Sequence, residues 1–174
     1  SSANKSGFTS FEYNDSKGGW TYSGTPVSSS DSKTGSKYYN LNSGQITKNL
    51  TGASSSTPFK LAFWARRASG TGTWSFMGQT ENLTTEWKLI QRTVTSSPVT
   101  ISGSGIYIDE LRIHPANAMM TTYTYKPLEG ISSVCDPRNM ITYYEYDNAN
   151  RLLNIRNENG EVIETYDYNY KGTN

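Results

Sequence analysis

The chain has one cysteine and one histidine in 174 residues. A single thiol, Cys135, excludes an internal disulfide, which suits either a cytosolic protein or a surface protein built without disulfides. A single imidazole, His114 in "RIHP", has no second histidine and no nucleophile motif beside it, so catalytic chemistry is not expected of it. Net charge is only +1, too little to gather a phosphate backbone, so nucleic acid is not an expected partner. No stretch is apolar enough to span a bilayer, and membrane insertion is not expected. Leucine and alanine are scarce, which argues against helices. Charged residues make up only 18% of the chain.

What the chain does have is rings and turns. Aromatic residues are 13% of the total, within a hydrophobic share of 34%. Ser, Thr, Gly and Asn fill much of the rest, and that mix favours strands and turns. A core here must be filled by Tyr, Trp and Phe. Residues 1–119 carry 11 Lys/Arg against 7 Asp/Glu, or +4, and residues 120–174 carry 5 against 8, or −3. The two parts therefore differ in character, and two domains are expected, 1–119 and 120–174.

Turn signals divide the first part into short extended runs. "GFTSFEYN" (7–14), "WTYSG" (20–24), "KYYNL" (37–41), "GQITKNL" (44–50), "PFKLAFWARR" (58–67), "TWSFMG" (73–78), "EWKLIQRTV" (86–94) and "GIYIDELRI" (105–113) read as about eight strands, with "ASGTGT" (68–73) a hairpin turn. The 58–67 run alternates, with Phe59, Leu61, Phe63 and Ala65 on one face and Lys60, Ala62, Trp64 and Arg66 on the other. This spacing predicts an all-β fold, an antiparallel sandwich of jelly-roll type. One helical turn could form at 116–120.

Beyond residue 120 the sequence repeats. Tyr125, Tyr146 and Tyr168 stand 21 and 22 residues apart, and "DPRN" (136–139) aligns with "NENG" (157–160). Each unit reads as a hairpin, so this part is expected to be a small antiparallel β-meander. Arrays of this kind need about three stacked units. The repeat is therefore expected to continue into a longer array or to lean on the first domain. The carriers "YEYDNANRL" (144–152) and "ENGEVIETYDYNY" (158–170) resemble the YD repeat of Rhs-type proteins, with Asn150 where glycine is usual. The resemblance implies a piece of a very large bacterial secreted or cell-surface protein, in a scaffold role, with the rest of an Rhs-type chain as its partner.

Two acids in the first part call for an explanation. Glu12 follows Phe11 in "SFEYN", and Asp109 lies in "IYIDELRI". Asp109 shares parity with Tyr107, Leu111 and Ile113, while Ile106 and Ile108 have the other parity. The strand is thus either covered on both faces or bulged near Asp109. A buried carboxylate needs an arginine, a shifted pKa or a cation. "GFTSFEYNDSKGGW" and "YIDELRI" resemble the opening and closing segments of galactose-binding-like jelly-roll carbohydrate-binding modules. That resemblance implies one structural Ca²⁺ held by the Glu12 and Asp109 side chains, by the Ser10 carbonyl, and by carbonyls within 32–36, Lys33 and Ser36 foremost. Oxygen donors of this kind are what a hard cation selects.

A sugar site needs an aromatic platform and polar groups for hydroxyls. The candidates are Trp64 and Arg66 on the polar side of the 58–67 run, with Trp74, Tyr38 and Tyr39. Trp20 and Trp87 are expected in the core. Asp109 and Glu110, adjacent in a strand, are expected to point to opposite faces and so not to act as a catalytic pair. The expected function is non-catalytic binding or adhesion, with a polysaccharide or cell-surface glycan as ligand. The alternative is a structural spacer or docking domain of an Rhs-type shell with no glycan.

Overall fold

The structure is a computed structural model that describes residues 5–168. It is all-β, with one 3₁₀ turn among the described residues, at Leu41–Ser43. No helix among the described residues is long and apolar enough to cross a membrane. The chain divides into two compact units between Met120 and Thr121.

The first unit is a sandwich built on one large antiparallel sheet. Its strands are β1 (Gly7–Thr9), β2 (Val27–Ser28), β3 (Lys37–Asn40), β5 (Phe59–Arg67), β8 (Lys88–Val94) and β10 (Ile106–Pro115). The order is β2-β3-β10-β5-β8, with β1 also on β10. The opposing layer holds the β4 (Ile46–Lys48) and β9 (Val99–Ile101) pair and the β6 (Gly72–Phe76) and β7 (Gln79–Leu83) hairpin. The alternation expected for 58–67 holds. Phe59, Leu61, Phe63 and Ala65 are buried against Trp20, Tyr22, Ile46, Trp74, Phe76 and Ile101. Rings fill the space that leucine would otherwise take. Phe11 stacks on Tyr39 at 5.5 Å, Trp74 on Phe76 at 5.2 Å, and Phe63 meets Phe76 edge-on. Each such pair adds about 0.5–1.5 kcal/mol beyond simple burial.

Three local expectations change. The 7–14 run is a strand only over Gly7–Thr9, because Phe11 adopts φ 62° and turns its ring into the core. Residues 68–73 do not close a hairpin, because β5 and β6 belong to different sheets. The tight turn is instead Met77-Gly78, with φ 50° and 73°, joining β6 to β7. Residues 116–118 form a turn without a helix.

On β10 the decisive feature is a bulge. Tyr107 pairs with Arg66 and Asp109 with Trp64, then the register shifts before Arg112 pairs with Ala62. Glu110, at φ 50°, absorbs the extra residue. The alternative of a bulge is thus the correct one. Tyr107 and Asp109 share the outer face with Trp64 and Arg66, while Leu111 and Ile113 return to the core. On its other edge, β10 is shared in tandem. β1 pairs with Leu111–Ile113 and β3 with Tyr107 and Ile108, so Asp109 and Glu110 lie opposite the gap between them.

The second unit is a five-stranded meander, β11 (Thr122–Lys126), β12 (Gly130–Cys135), β13 (Ile141–Tyr146), β14 (Leu152–Arg156) and β15 (Val162–Thr165), paired in chain order. Three of its turns are copies of one design. The side-chain oxygens of Asp136, Asp147 and Asn157 each accept two peptide N–H groups, from Arg138 and Met140, Ala149 and Arg151, and Asn159 and Glu161. The residue before each turn's end, Asn139, Asn150 or Gly160, takes positive φ. Asn and Gly tolerate that region best, which explains why the repeat keeps them there. β15 is exposed along its length, and β14 is its one ladder partner among the described residues. Tyr170 lies outside the described residues.

Candidate functional site

The bulge sets an acid where solvent cannot reach. Asp109 is fully buried and Glu110 nearly so. Both meet the loop at residues 29–36, which lies on the outer face of the sheet. Thr34 N donates to Asp109 Oδ2 at 2.9 Å and Thr34 Oγ1 to Glu110 Oε2 at 3.0 Å. Asp109 Oδ1 accepts its neighbour's amide, Glu110 N, at 2.7 Å. The expectation that Asp109 and Glu110 face opposite ways is thus corrected, because the left-handed backbone at Glu110 brings both carboxylates to Thr34.

Glu12 holds the same loop from the other side. Its Oε1 accepts the amides of Ser36 and Lys37, both at 2.8 Å, and its Oε2 accepts the Ser36 hydroxyl at 2.9 Å. Lys37 Nζ returns to the Glu12 carbonyl at 2.9 Å. Gly35, at φ +59°, is required there: a Cβ would stand 2.5 Å from the Glu12 carboxylate. Residues from β1's exit, from the loop and from β10 are so tied at one point.

The cost of that point falls on Asp109. Burial pushes its carboxyl well above the ordinary value of 3.8, Glu110 and Glu12 push it further, and the Thr34 and Glu110 amides pull it back only in part. As for the expected calcium ligands, Glu12 and Asp109 face the same loop and Ser10 is buried near β1's end. The Ser36 carbonyl accepts the Ser29 amide at 2.9 Å. Lys33 sends its ammonium over the Trp64 ring at 3.9 Å. Among the described residues no three His, Cys, Asp or Glu side chains group closely enough to hold a metal. A cation here would draw on peptide oxygens as well. Carboxylate and carbonyl oxygens are the donor type a hard cation selects, and in this arrangement the Glu12 and Asp109 oxygens accept N–H and O–H groups.

The same loop builds a cleft. Asp31, at its tip, accepts Trp87 Nε1 on its carbonyl at 2.7 Å and sets its carboxylate 3.4 Å from Arg66. Arg66 is buried among three rings, 5.0 Å from Trp87, 5.0 Å from Tyr107 and 5.5 Å from Tyr38. Tyr38 and Tyr107 stack at 4.6 Å. The three rings pack about the planar guanidinium, and Arg66 lines a cleft of about 340 Å³. Ser30, Ser32 and Thr85 add hydroxyls there, and Glu86 a second acid.

Of the residues singled out for sugar contact, Arg66 lines this cleft and Tyr38 lies beneath it. Tyr39 and Trp74 belong to the core, where the Tyr39 hydroxyl accepts the Gly24 amide and Trp74 Nε1 donates to the Ser102 carbonyl. Trp64 lies on the same outer face, under Lys33. Trp87, expected in the core, is half-buried on the cleft wall, because it precedes β8 and no opposing layer reaches it. Asp31 and Trp87 went unseen because nothing local marks them; they meet across 56 residues. No family model matches the chain, and no curated protein matches it.

The buried carboxyl has a measurable consequence. A group whose folded pKa is raised keeps a proton in the native state that the unfolded chain releases. Its contribution is full below the unfolded value and is lost as pH rises through the folded one. In chelator, the stability of the wild type relative to Asp109→Asn falls as pH rises from about 4, by at most about 1.4 kcal/mol per pH unit. Urea unfolding of both proteins across pH 4–8 reads this. Parallel curves would mean that Asp109 is not held neutral.

Proposed function

We propose that the first unit is a non-catalytic glycan-binding module, in a large bacterial secreted or cell-surface protein of the Rhs, YD-repeat type. The observation that carries the glycan reading is the cleft at Arg66. It joins a guanidinium edge, carboxylates, hydroxyls and a half-buried indole, the groups that recognise the polar and apolar faces of a sugar. Its volume lies at the small end of the usual range for ligand sites, about 300–1,000 Å³. The YD-type tail is supported by its recurring Asx-capped turns and serves as scaffold. A polysaccharide or cell-surface glycan is the partner.

The module also takes a structural calcium ion. Glu12 and Asp109 would hold it, with peptide oxygens of Ser10 and residues 32–36, and the ion would supply the positive charge that two carboxylates lack at the gap beside β10. The rival is a spacer or docking domain with no glycan ligand. It is favoured by one observation: Lys33 covers the Trp64 ring, which leaves that ring no open face toward solvent on the loop side.

Two measurements separate these. The full chain, titrated with a panel of oligosaccharides and followed by tryptophan fluorescence, is expected to bind at least one; Trp87→Ala weakens that binding about tenfold or more, while Trp64→Ala changes it little. A chain that binds none is the spacer. Saturating Ca²⁺ at pH 7 is expected to raise the melting temperature on the order of 5 °C, reversibly with chelator, and to do nothing for Glu12→Gln or Asp109→Asn. Equal melting with and without chelator removes the ion from the account.

A further inference from the structure

The charge of the cleft goes one step beyond the kind of ligand. One cation, Arg66, lines it, and two acids, Asp31 and Glu86, stand at its rim. The Arg66–Asp31 contact is 3.4 Å, long beside the ~2.7–2.9 Å of a strong charge-assisted bond. Arg66 Nη1 donates to the Thr85 carbonyl at 3.5 Å. Arg66 Nε, buried, makes no hydrogen bond. The long Nη1 and Nη2 contacts leave the guanidinium hydrogen-bonding capacity to spare, and Trp87, Tyr107 and Tyr38 pack about it.

An anion that uses that capacity meets both acids of the lining, and the backbone of each is fixed beside the cleft. Asp31 is fastened by its amide to Ser29 Oγ and by its carbonyl to Trp87 Nε1. Glu86 is fastened by its amide to Thr84 Oγ1. A neutral sugar meets no such obstacle. Each hydroxyl both donates and accepts, so one pair can accept from Arg66 while its neighbours donate to the carboxylates.

We propose that Asp31 and Glu86 set the specificity of this cleft: it accepts an uncharged glycan and rejects uronate-bearing or sulfated ones. This rests on the glycan reading above and deepens it. Like charges brought together discriminate strongly between partners.

The test compares the full chain with the Asp31→Asn/Glu86→Gln variant, against neutral gluco-, galacto-, xylo- and manno-oligosaccharides and against oligogalacturonates and sulfated oligosaccharides. Both positions are exposed, so the variant should melt with the wild type. The wild type is expected to prefer neutral ligands by about tenfold or more. In the variant that preference falls by about tenfold, through a gain in acidic-glycan binding that weakens with added salt. Acidic glycans bound as tightly as neutral ones by the wild type, or an unchanged preference in the variant, overturns the inference and leaves the glycan reading standing. Binding of no oligosaccharide by either protein overturns both.

Discussion

The first unit turns on a carboxylate buried opposite a gap. β10 gives one edge to two short strands in tandem, and where neither reaches, Asp109 accepts the amide of Thr34. Glu12, just past β1, accepts the amides of Ser36 and Lys37. Side-chain oxygens so replace the ladder that a continuous strand would have supplied. Peptide N–H groups cannot be buried without acceptors, and this loop has no strand partner of its own over residues 30–36. The acids that satisfy it come from the two ends of the domain, so the loop's position depends on the whole sandwich being closed.

The cleft inherits that dependence. Asp31 sits two residues before Lys33 and three before Thr34, in the part of the loop that the carboxylates hold. Its reach to Arg66 and Trp87 is a consequence of where Thr34 is pinned. The desolvation that raises Asp109 is the energetic cost of this arrangement. It can be met by a proton or by a cation, with opposite dependence on pH. The second unit uses the same device nearer the surface, where the cost is outweighed. There Asp136 and Asp147 cap turns while partly exposed. Burial raises Asp136, but the Met140 and Arg138 amides and the Arg138 side chain outweigh it, and at Asp147 the Arg151 side chain and amide do the same, so both carboxyls lie below the ordinary value.

The sheet strands were readable because alternation is local. Phe59 to Ala65 declared an inner face, and the Asx and Asn/Gly positions declared the turns of the meander. Glu12 and Asp109 stood out for a related reason, being acids among apolar neighbours. The failures were non-local. Parity alone left the face of Asp109 open, because one left-handed residue, Glu110, breaks the alternation of β10. Trp87 read as core because its apolar neighbours are in sequence, while what surrounds it in space is Arg66, Tyr38 and the Asp31 carbonyl. Tyr39 and Trp74 stood as sugar-contact candidates because ring content alone cannot tell a platform from a filler. A chain poor in leucine uses rings for both.

If carboxylates hold the loop, its amides are closed to solvent although it is no strand. Amide hydrogen exchange of Thr34 and Ser36 in the loop, and of Lys37 where β3 begins, measures this directly. Protection near that of the β10 amides, lost at Ser36 and Lys37 in Glu12→Gln and at Thr34 in Asp109→Ala, is the expected outcome. Exchange at the pace of an open loop in the wild type would contradict the account at its base.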